Sequence, residues 1–135
     1  MKRVIALLMC IVLAVCALGI NTLADTGISP RLNNVALKNS YFEINSNGTA
    51  TVRATYSGDS DVITGATIKI KIQKQFLFFF WTDVVEWTDE CSGNYRTVIH
   101  STQVDGGTYK ATIEYTIRGT AGEPDVITET IERTH

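Results

Sequence analysis

The side chains that could form a nucleophile and base are few. Beyond the N-terminal segment the chain has one cysteine, Cys91, and its two histidines are His100 and His135. A Cys–His nucleophile also needs a group that orients the imidazole and donors that stabilise an oxyanion. No motif marks either of these, so the sequence predicts no catalytic residue and a protein that is not an enzyme. An enzyme would return as an alternative only if Cys91 and His100 met in a cleft.

The surroundings of Cys91 indicate an ordinary thiol. The stretch 89–94 (DECSGN) has the composition of a turn, so we expect the thiol to be accessible. Carboxylates beside a thiol raise its pKa and make it less reactive. We therefore expect Cys91 to have no chemical role.

The acidic residues predict neither a metal site nor a glycosidase site. Asp59 and Asp61 offer two oxygen ligands, whereas Ca²⁺ takes six or more, so we expect a polar turn here. Four further acidic residues indicate the solvated edge of a strand: Asp83, Glu86, Asp89 and Glu90. The sequence contains no glycine-rich phosphate loop and no Cys/His cluster with metal spacing. We therefore predict no metal and no cofactor.

An uninterrupted apolar run is the most unusual feature of the sequence. Residues 75–81 read QFLFFFW, with six large apolar side chains: Phe76, Leu77, Phe78, Phe79, Phe80 and Trp81. The run is far shorter than the roughly 20 residues that a helix needs to cross a bilayer. Its role therefore depends on where the neighbouring elements place it.

The N-terminus has the order of a secretory signal peptide, which is basic, then apolar, then small. Lys2 and Arg3 precede an apolar stretch over 4–20, and small residues stand at the −3 and −1 positions of a cut after Ala24. We therefore predict a signal peptide over 1–24 and a protein that is secreted or associated with the cell surface. An uncleaved anchor is the alternative, because the apolar stretch is near the lower length limit for a membrane span.

Cleavage would leave residues 25–135, which fit a single domain of ordinary size. Only one cysteine would remain, so no disulfide can form within the chain. Loss of Lys2 and Arg3 leaves 10 of the 12 basic residues against 14 acidic ones, a net charge near −4. This balance argues against a nucleic-acid partner.

Hydrophobic periodicity predicts an all-β fold. Apolar and polar residues alternate strictly over 108–118, which is the pattern of a strand with one face in a core. Two other stretches alternate in the same way, and turn signals such as Asn47-Gly48 separate them. About seven strands are expected (34–44, 50–56, 66–75, 81–89, 95–104, 108–118 and 125–133), with no helix outside the signal peptide. That count and spacing predict an antiparallel β-sandwich.

A short motif narrows the sandwich class. Residues 105–111 (DGGTYKA) resemble the D-x-G-x-Y-x-C segment of immunoglobulin-like domains, in which the tyrosine hydrogen-bonds back across a corner. Here Ala111 stands at the cysteine position, and the earlier strand has Val52 or Ala54 in place of the partner cysteine. The resemblance implies an immunoglobulin-like or fibronectin-III-like sandwich without the disulfide.

Most of residues 28–120 also resemble a group of small exported β-sandwich proteins of Gram-positive, gut-type bacteria. The matching motifs are Ile28-Ser29-Pro30-Arg31, the strand 67–74 (TIKIKIQK), the W-x-x-V-x-x-W pattern over 81–87 and Gly107-Thr108-Tyr109. In that group a Gly/Ser-type loop joins the two strands at the position of the apolar run. The resemblance implies export and a fold, and it implies no activity.

The apolar run is therefore expected at the turn of a hairpin, in a loop over 76–80, where polar residues are usual. Three interpretations remain open. The side chains fold back and cap the sandwich, or they project towards a membrane or the pocket of a cell-surface protein, or the run is drift in an aggregation-prone segment. Trp87 is a possible contributor to a projecting surface.

We therefore predict an exported, non-enzymatic binding or structural module. The hypothesised contact surface is Phe76–Trp81 together with Trp87, and the partner is a membrane surface or a cell-surface protein. The alternative function is a carbohydrate-binding module in which Trp81 and Trp87 form an exposed, coplanar sugar platform.

Overall fold

The structure is a computed structural model, and it describes residues 32–34 and 36–135. The predicted signal peptide, 1–24, and the motif 28–31 lie outside these residues. Within the described part of the chain, the regular structure consists of strands, with no helix. It follows that none of the described residues forms a helix that could cross a membrane.

Seven strands follow one another along the chain, as the periodicity predicts. They are β1 (Ala36–Ile44), β2 (Thr49–Gly58), β3 (Ile63–Phe76), β4 (Phe80–Ser92), β5 (Tyr95–Gln103), β6 (Thr108–Gly119) and β7 (Asp125–Thr134). The Asn47-Gly48 signal lies in the turn between β1 and β2, where Gly48 has a φ of 76°. Glycine suits this turn because a left-handed backbone costs it little.

The strands form two antiparallel sheets. The three-stranded sheet has the order β1-β2-β5, and the four-stranded sheet has the order β4-β3-β6-β7. In constant-type immunoglobulin domains the fourth strand joins the sheet of the first two. Here β4 pairs with β3 instead, which places the long β3–β4 hairpin in the four-stranded sheet. The fold is an antiparallel sandwich of the immunoglobulin-like and fibronectin-III-like class, as predicted.

The core lies between the two sheets. Every second residue of each central strand points inward, so alternating apolar residues form one buried cluster. The fully buried members on three strands are Ala50, Val52, Ala54 and Tyr56 of β2, Ala66, Ile68, Ile70 and Ile72 of β3, and Ala111, Ile113, Tyr115 and Ile117 of β6. Ala111, at the cysteine position of the immunoglobulin motif, is therefore part of the core.

Buried polar contacts hold the chain where it enters β1. Asp125, at the start of β7, accepts the backbone N–H groups of Asn33 (2.8 Å) and Asn34 (2.6 Å). The Asn34 side chain in turn donates to the Glu123 carbonyl (3.1 Å) and accepts the Ala121 N–H (3.1 Å). Asn34 and Asp125 are buried, so these bonds replace water at groups that would otherwise be unsatisfied.

The predicted tyrosine corner is present at the start of β6. The Tyr109 hydroxyl donates to the Asp105 carbonyl (3.0 Å) and contacts Asp105 Oδ1 (2.5 Å). Lys74, near the end of β3, has its Nζ 2.6 Å from the same carboxylate and 5.6 Å from the centre of the Tyr109 ring. Lys74 breaks the apolar parity of β3 because it covers the end of the core with its charged head at the surface.

We predict that Tyr109→Phe lowers the free energy of unfolding by about 1 kcal/mol, because it removes the hydroxyl donor of the corner and keeps the buried ring. Urea denaturation measures the change. The matched control is Tyr95→Phe, at an exposed tyrosine of β5, which should change stability by less than about 0.5 kcal/mol. Equal effects of the two substitutions would contradict the role of the corner.

We also predict an acid-dependent contribution from Asp105. Hydrogen bonds from Lys74, and then from Tyr109, lower the pKa of Asp105 from 3.8 to about 2. Because the folded-state pKa is the lower one, the contribution is complete above about pH 4 and is lost as the pH falls through about 2. Asp105→Asn should therefore flatten the decline of stability between about pH 4 and pH 2, measured by thermal unfolding. A decline as steep as that of the unsubstituted chain would show that other carboxylates cause it.

Candidate functional site

The β3–β4 hairpin runs past the end of the sheet that holds it. The pairing of β3 with β6 ends at Lys74↔Tyr109, whereas its pairing with β4 continues to Phe76↔Phe80. The last two residues of β3 therefore have a neighbouring strand on one side only. We call residues 76–80 the hairpin tip.

The turn of the hairpin tip has an unfavourable backbone for its sequence. Three residues, 77–79, join β3 to β4, which is shorter than the predicted loop over 76–80. Leu77 has a φ of 47° and Phe78 a φ of 63°. Hairpin turns that need two consecutive positive φ angles normally use Asn-Gly, since a left-handed backbone costs other L-residues about 1–2 kcal/mol each.

The side chains of the hairpin tip are exposed. The exposed fractions are 58% for Phe76, 64% for Leu77, 85% for Phe78, 86% for Phe79 and 65% for Phe80. Large apolar side chains are usually buried, so five consecutive exposed ones need an explanation. This exposure excludes one of the interpretations that the sequence leaves open, in which the side chains fold back and cap the sandwich.

Two backbone groups of the turn are satisfied within the hairpin tip and its neighbouring residue. The Phe79 N–H donates to the Leu77 carbonyl (2.7 Å), and the Gln75 side chain donates from Nε2 to the Phe78 carbonyl (2.9 Å). Gln75 is a residue that the sequence does not single out. Its position directly before an apolar turn is the signal that would have found it, since a side-chain amide can reach a turn carbonyl three residues away.

Trp81 lies at the base of the hairpin tip. It pairs with Gln75, and the Nζ of Lys110 on β6 lies 4.1 Å from the centre of its indole ring. A cation at this distance over an indole face is attracted by the ring quadrupole. The ring is half-buried under the lysine, unlike the phenylalanines beyond it.

Trp87 does not belong to the hairpin tip. A bulge shifts the register of the β3–β4 pair, because Ile72 pairs with Val85 but Gln73 pairs with Asp83. Val84 is the extra residue of β4, and it reverses which residues face inward. As a result Trp87 faces the core opposite Ile70, whereas Trp81 lies on the outer face beneath Lys110. The structure therefore separates Trp87 from the hairpin tip, with which the sequence grouped it.

Trp87 instead helps to close one side of the sandwich. Its ring stacks on the imidazole of His100, with centroids 4.8 Å apart and planes at 11°. His100 Nε2 lies 2.6 Å from Asp89 Oδ2, which joins β5 of one sheet to β4 of the other. On the opposite side, the Lys38 ammonium forms an ion pair with Glu129 and joins β1 to β7. These contacts give the histidine a structural environment.

The prediction of an accessible Cys91 in a turn is wrong. Strand β4 continues to Ser92, and Cys91 is buried opposite Ala66. Burial raises the pKa of the Cys91 thiol, and the nearby Asp89 carboxylate raises it further. The imidazole of His100 is hydrogen-bonded to Asp89 rather than to this thiol. The geometry therefore does not assemble the Cys–His pair that the enzyme alternative requires.

The acidic residues make local contacts. Asp59 Oδ1 accepts the Asp61 N–H (2.8 Å), which forms the predicted polar turn. Asp83 accepts from the Gln73 amide (2.7 Å) and lies 3.4 Å from the Lys71 ammonium. Within 32–34 and 36–135, no three Asp, Glu, His or Cys side chains are grouped so that they could hold a metal ion.

The outer face of the three-stranded sheet carries a second group of exposed apolar residues that the sequence analysis does not single out. These are Leu37 and Tyr41 of β1 and Tyr95 and Ile99 of β5. They are separated by polar residues of the same face, such as Arg53 and Thr55, so they form no continuous patch. In β1 exposed residues alternate with half-buried or buried ones, but the sequence ALKNSYFEI shows no matching alternation that would have placed them outside.

We predict that the double substitution Leu77→Asn/Phe78→Gly stabilises the protein by about 1–2 kcal/mol, because it fits residue types to the two positive φ angles. Urea denaturation at neutral pH measures the change. Phe79→Gly is the control, since Phe79 is not among the residues with positive φ, and it should not stabilise the fold. A loss of stability in the double variant would mean that the apolar side chains pack against the sandwich.

Comparison of the chain with protein-family models, with curated proteins and with solved structures gives no match. A functional assignment therefore rests on the contacts of the chain itself.

Proposed function

We propose that the protein is an exported, non-enzymatic binding module that attaches to an apolar target through its hairpin tip. The single observation that carries the proposal is the exposure of every side chain from Phe76 to Phe80, each by more than half. The target is a membrane surface or an apolar pocket of a cell-surface protein. Trp81, at the base of the tip, contributes to the edge of the contact.

The size of the exposed surface supports binding. The four phenylalanines of the hairpin tip expose on the order of 450–700 Å², given the 150–250 Å² that each ring carries. The largest apolar patch of a typical soluble monomer is about 300–600 Å² and is often functional. A patch of this size made from one continuous segment is therefore a strong candidate for a contact surface.

The energetics favour reversible attachment. Complete burial of five such side chains is worth about 8–15 kcal/mol before other costs. Association and ordering remove about 4–15 kcal/mol, depending on the reference state. At most about 11 kcal/mol remains, which corresponds to a dissociation constant of about 10 nM, so attachment through the hairpin tip alone would be reversible.

The backbone of the turn supports the same conclusion. Leu77 and Phe78 adopt positive φ angles that cost stability, and their side chains remain mostly exposed. Strained residues of this kind are concentrated at binding and catalytic sites. A loop with Asn and Gly would be more stable, so the sequence of the tip is better explained by a contact than by folding.

Export is part of the proposal and rests on the N-terminal sequence. The basic, apolar and small-residue order over 1–24 is that of a signal peptide, and the expected location is secreted or cell-surface associated. A hairpin tip with five exposed apolar side chains would then meet the cell envelope.

The positions of the two tryptophans argue against the carbohydrate-binding alternative. It requires Trp81 and Trp87 to form one exposed, coplanar platform. The bulge at Val84 places the two indoles on opposite faces of the four-stranded sheet, and Trp87 stacks on His100. No other observation favours a sugar site at the hairpin.

The test compares retention on the cell envelope for two variants of the full chain, in cells that export it. Phe78→Ser/Phe79→Ser removes the two most exposed rings of the hairpin tip. We expect this variant to move from the envelope fraction to the medium and to unfold at an unchanged or higher urea concentration. Quantitative immunoblotting of the two fractions measures the shift.

The matched control is Leu37→Ser/Ile99→Ser, which removes two exposed apolar side chains from the outer face of the three-stranded sheet. It should distribute like the unsubstituted chain. The proposal is wrong if both variants distribute equally, or if the hairpin-tip variant is clearly less stable.

A further inference from the structure

We infer that the target of the hairpin tip is the surface of a lipid bilayer, into which the tip inserts to the depth of Trp81. This inference rests on the proposed function and narrows its target. The ring of Trp81 with Lys110 above it would lie at the level of the lipid headgroups. The four phenylalanines and Leu77 would lie below them, at the start of the hydrocarbon.

The first argument is the order of residue types along the hairpin. The outermost residues, 76–80, are phenylalanine and leucine, which enter hydrocarbon favourably. Next comes Trp81 under Lys110, and aromatic and basic side chains of this kind concentrate at membrane interfaces. Behind them lie ion pairs such as Lys71–Glu86. This sequence of layers, from apolar through amphipathic to charged, matches the profile of a bilayer from its interior to water.

The length of the hairpin tip fits a shallow insertion. Two to three residues separate Trp81 from the apex of the turn, which at about 3.3 Å per residue gives about 7–10 Å. Interfacial segments bury their apolar face to about 5–10 Å. The tip is therefore long enough to reach the acyl chains and far too short to cross them.

Part of the backbone of the turn is already satisfied without water. A peptide group that enters hydrocarbon without a hydrogen-bond partner costs several kcal/mol in general. The Phe79 N–H and the Phe78 carbonyl already have partners, in the Leu77 carbonyl and the Gln75 amide. In a loop that is exposed only to water, water itself would hydrogen-bond to the carbonyl, and a side-chain amide would not be required.

The charges near the hairpin indicate whether membrane binding depends on anionic lipids or on the apolar side chains. Lysines near the base of the hairpin face carboxylates, as in Lys74–Asp105 and Lys71–Asp83, and the whole chain has a net charge of −2. The protein therefore has no excess of positive charge with which to attract anionic lipids. Insertion should depend on the apolar side chains, with little dependence on salt or on anionic headgroups.

The same features fit a protein pocket less well. Protein contact surfaces combine aromatic residues with Met and Arg and are surrounded by a polar rim that hydrogen-bonds to the partner. The hairpin tip has five consecutive side chains without a polar atom, and it projects as a convex ribbon end. Fluid acyl chains require no complementary shape, whereas a pocket for four rings and a leucine would.

The experiment measures the depth of Trp81 in vesicles of phosphatidylcholine, a neutral lipid, with bromine atoms at known positions on the acyl chains. The exported chain, 25–135, is used so that the apolar stretch 4–20 cannot bind the vesicles, and it carries Trp87→Phe, so Trp81 is its one remaining tryptophan. We expect the emission of Trp81 to shift to shorter wavelength and to be quenched most by the shallowest bromines. The quenching should persist between about 50 and 500 mM salt.

Two comparisons connect the signal to the hairpin tip. In the same background, Phe78→Ser/Phe79→Ser should weaken vesicle binding about tenfold for each ring lost. Leu37→Ser/Ile99→Ser should leave binding unchanged. A companion chain with Trp81→Phe reports on Trp87, which should show no quenching because it is partly buried and stacks on His100 at the side of the sandwich, away from the hairpin tip. If Trp87→Phe unfolds the protein, the Trp81 signal is obtained as the difference between the unsubstituted chain and this companion.

The outcomes separate this inference from the proposed function. Absence of Trp81 quenching, while retention on the cell envelope still depends on Phe78 and Phe79, overturns the bilayer as target and leaves a protein partner. Dimers that depend on the hairpin tip, seen by sedimentation velocity without vesicle binding, overturn it in favour of a second copy of the chain. Quenching that survives the loss of both rings also overturns it, because another part of the chain then carries the binding.

Discussion

The unequal pairing on the two sides of β3 determines most of what is distinctive in this protein. The strand pairs with β6 only as far as Lys74 but with β4 as far as Phe76. Up to Lys74 its inward side chains are covered by the opposite sheet, and at that point the contact with Asp105 ends the core. Beyond it the hairpin is a two-stranded ribbon with nothing to pack against. The exposure of the phenylalanines is therefore a consequence of register as much as of composition.

The core and the hairpin tip can consequently change independently. The core depends on alternating residues of β2, β3 and β6 and on the hydroxyl of Tyr109 at its end. The tip contributes no buried side chain, and its turn costs stability because Leu77 and Phe78 have positive φ angles. Folding stability and attachment therefore depend on different residues of the same hairpin.

The sequence predicts the strands well and the tryptophans poorly, for physical reasons. Period-two alternation is a local property, so it shows the strands and their inward faces directly. The corner at Tyr109 is likewise found from a short motif. The bulge at Val84 has no local signature in the sequence, and it reverses the side of the sheet that Trp87 faces. Cys91 is misplaced because a turn-like composition at 89–94 is overridden by pairing with β3.

The sequence also could not show whether the apolar run points inward or outward. Hydrophobicity favours burial, but the run finds a surface to pack against only as far as β6 extends.

The contacts of Asn34 define the end of the domain that lies opposite the hairpin tip. They fix the start of β1 beside β7 and the β6–β7 loop, at the end of the sandwich where β3 begins. The 14 residues of β3 then separate this point from the hairpin tip by about 45 Å. A surface contacted by the tip would therefore lie about 45 Å from the start of β1, at the opposite end of the domain.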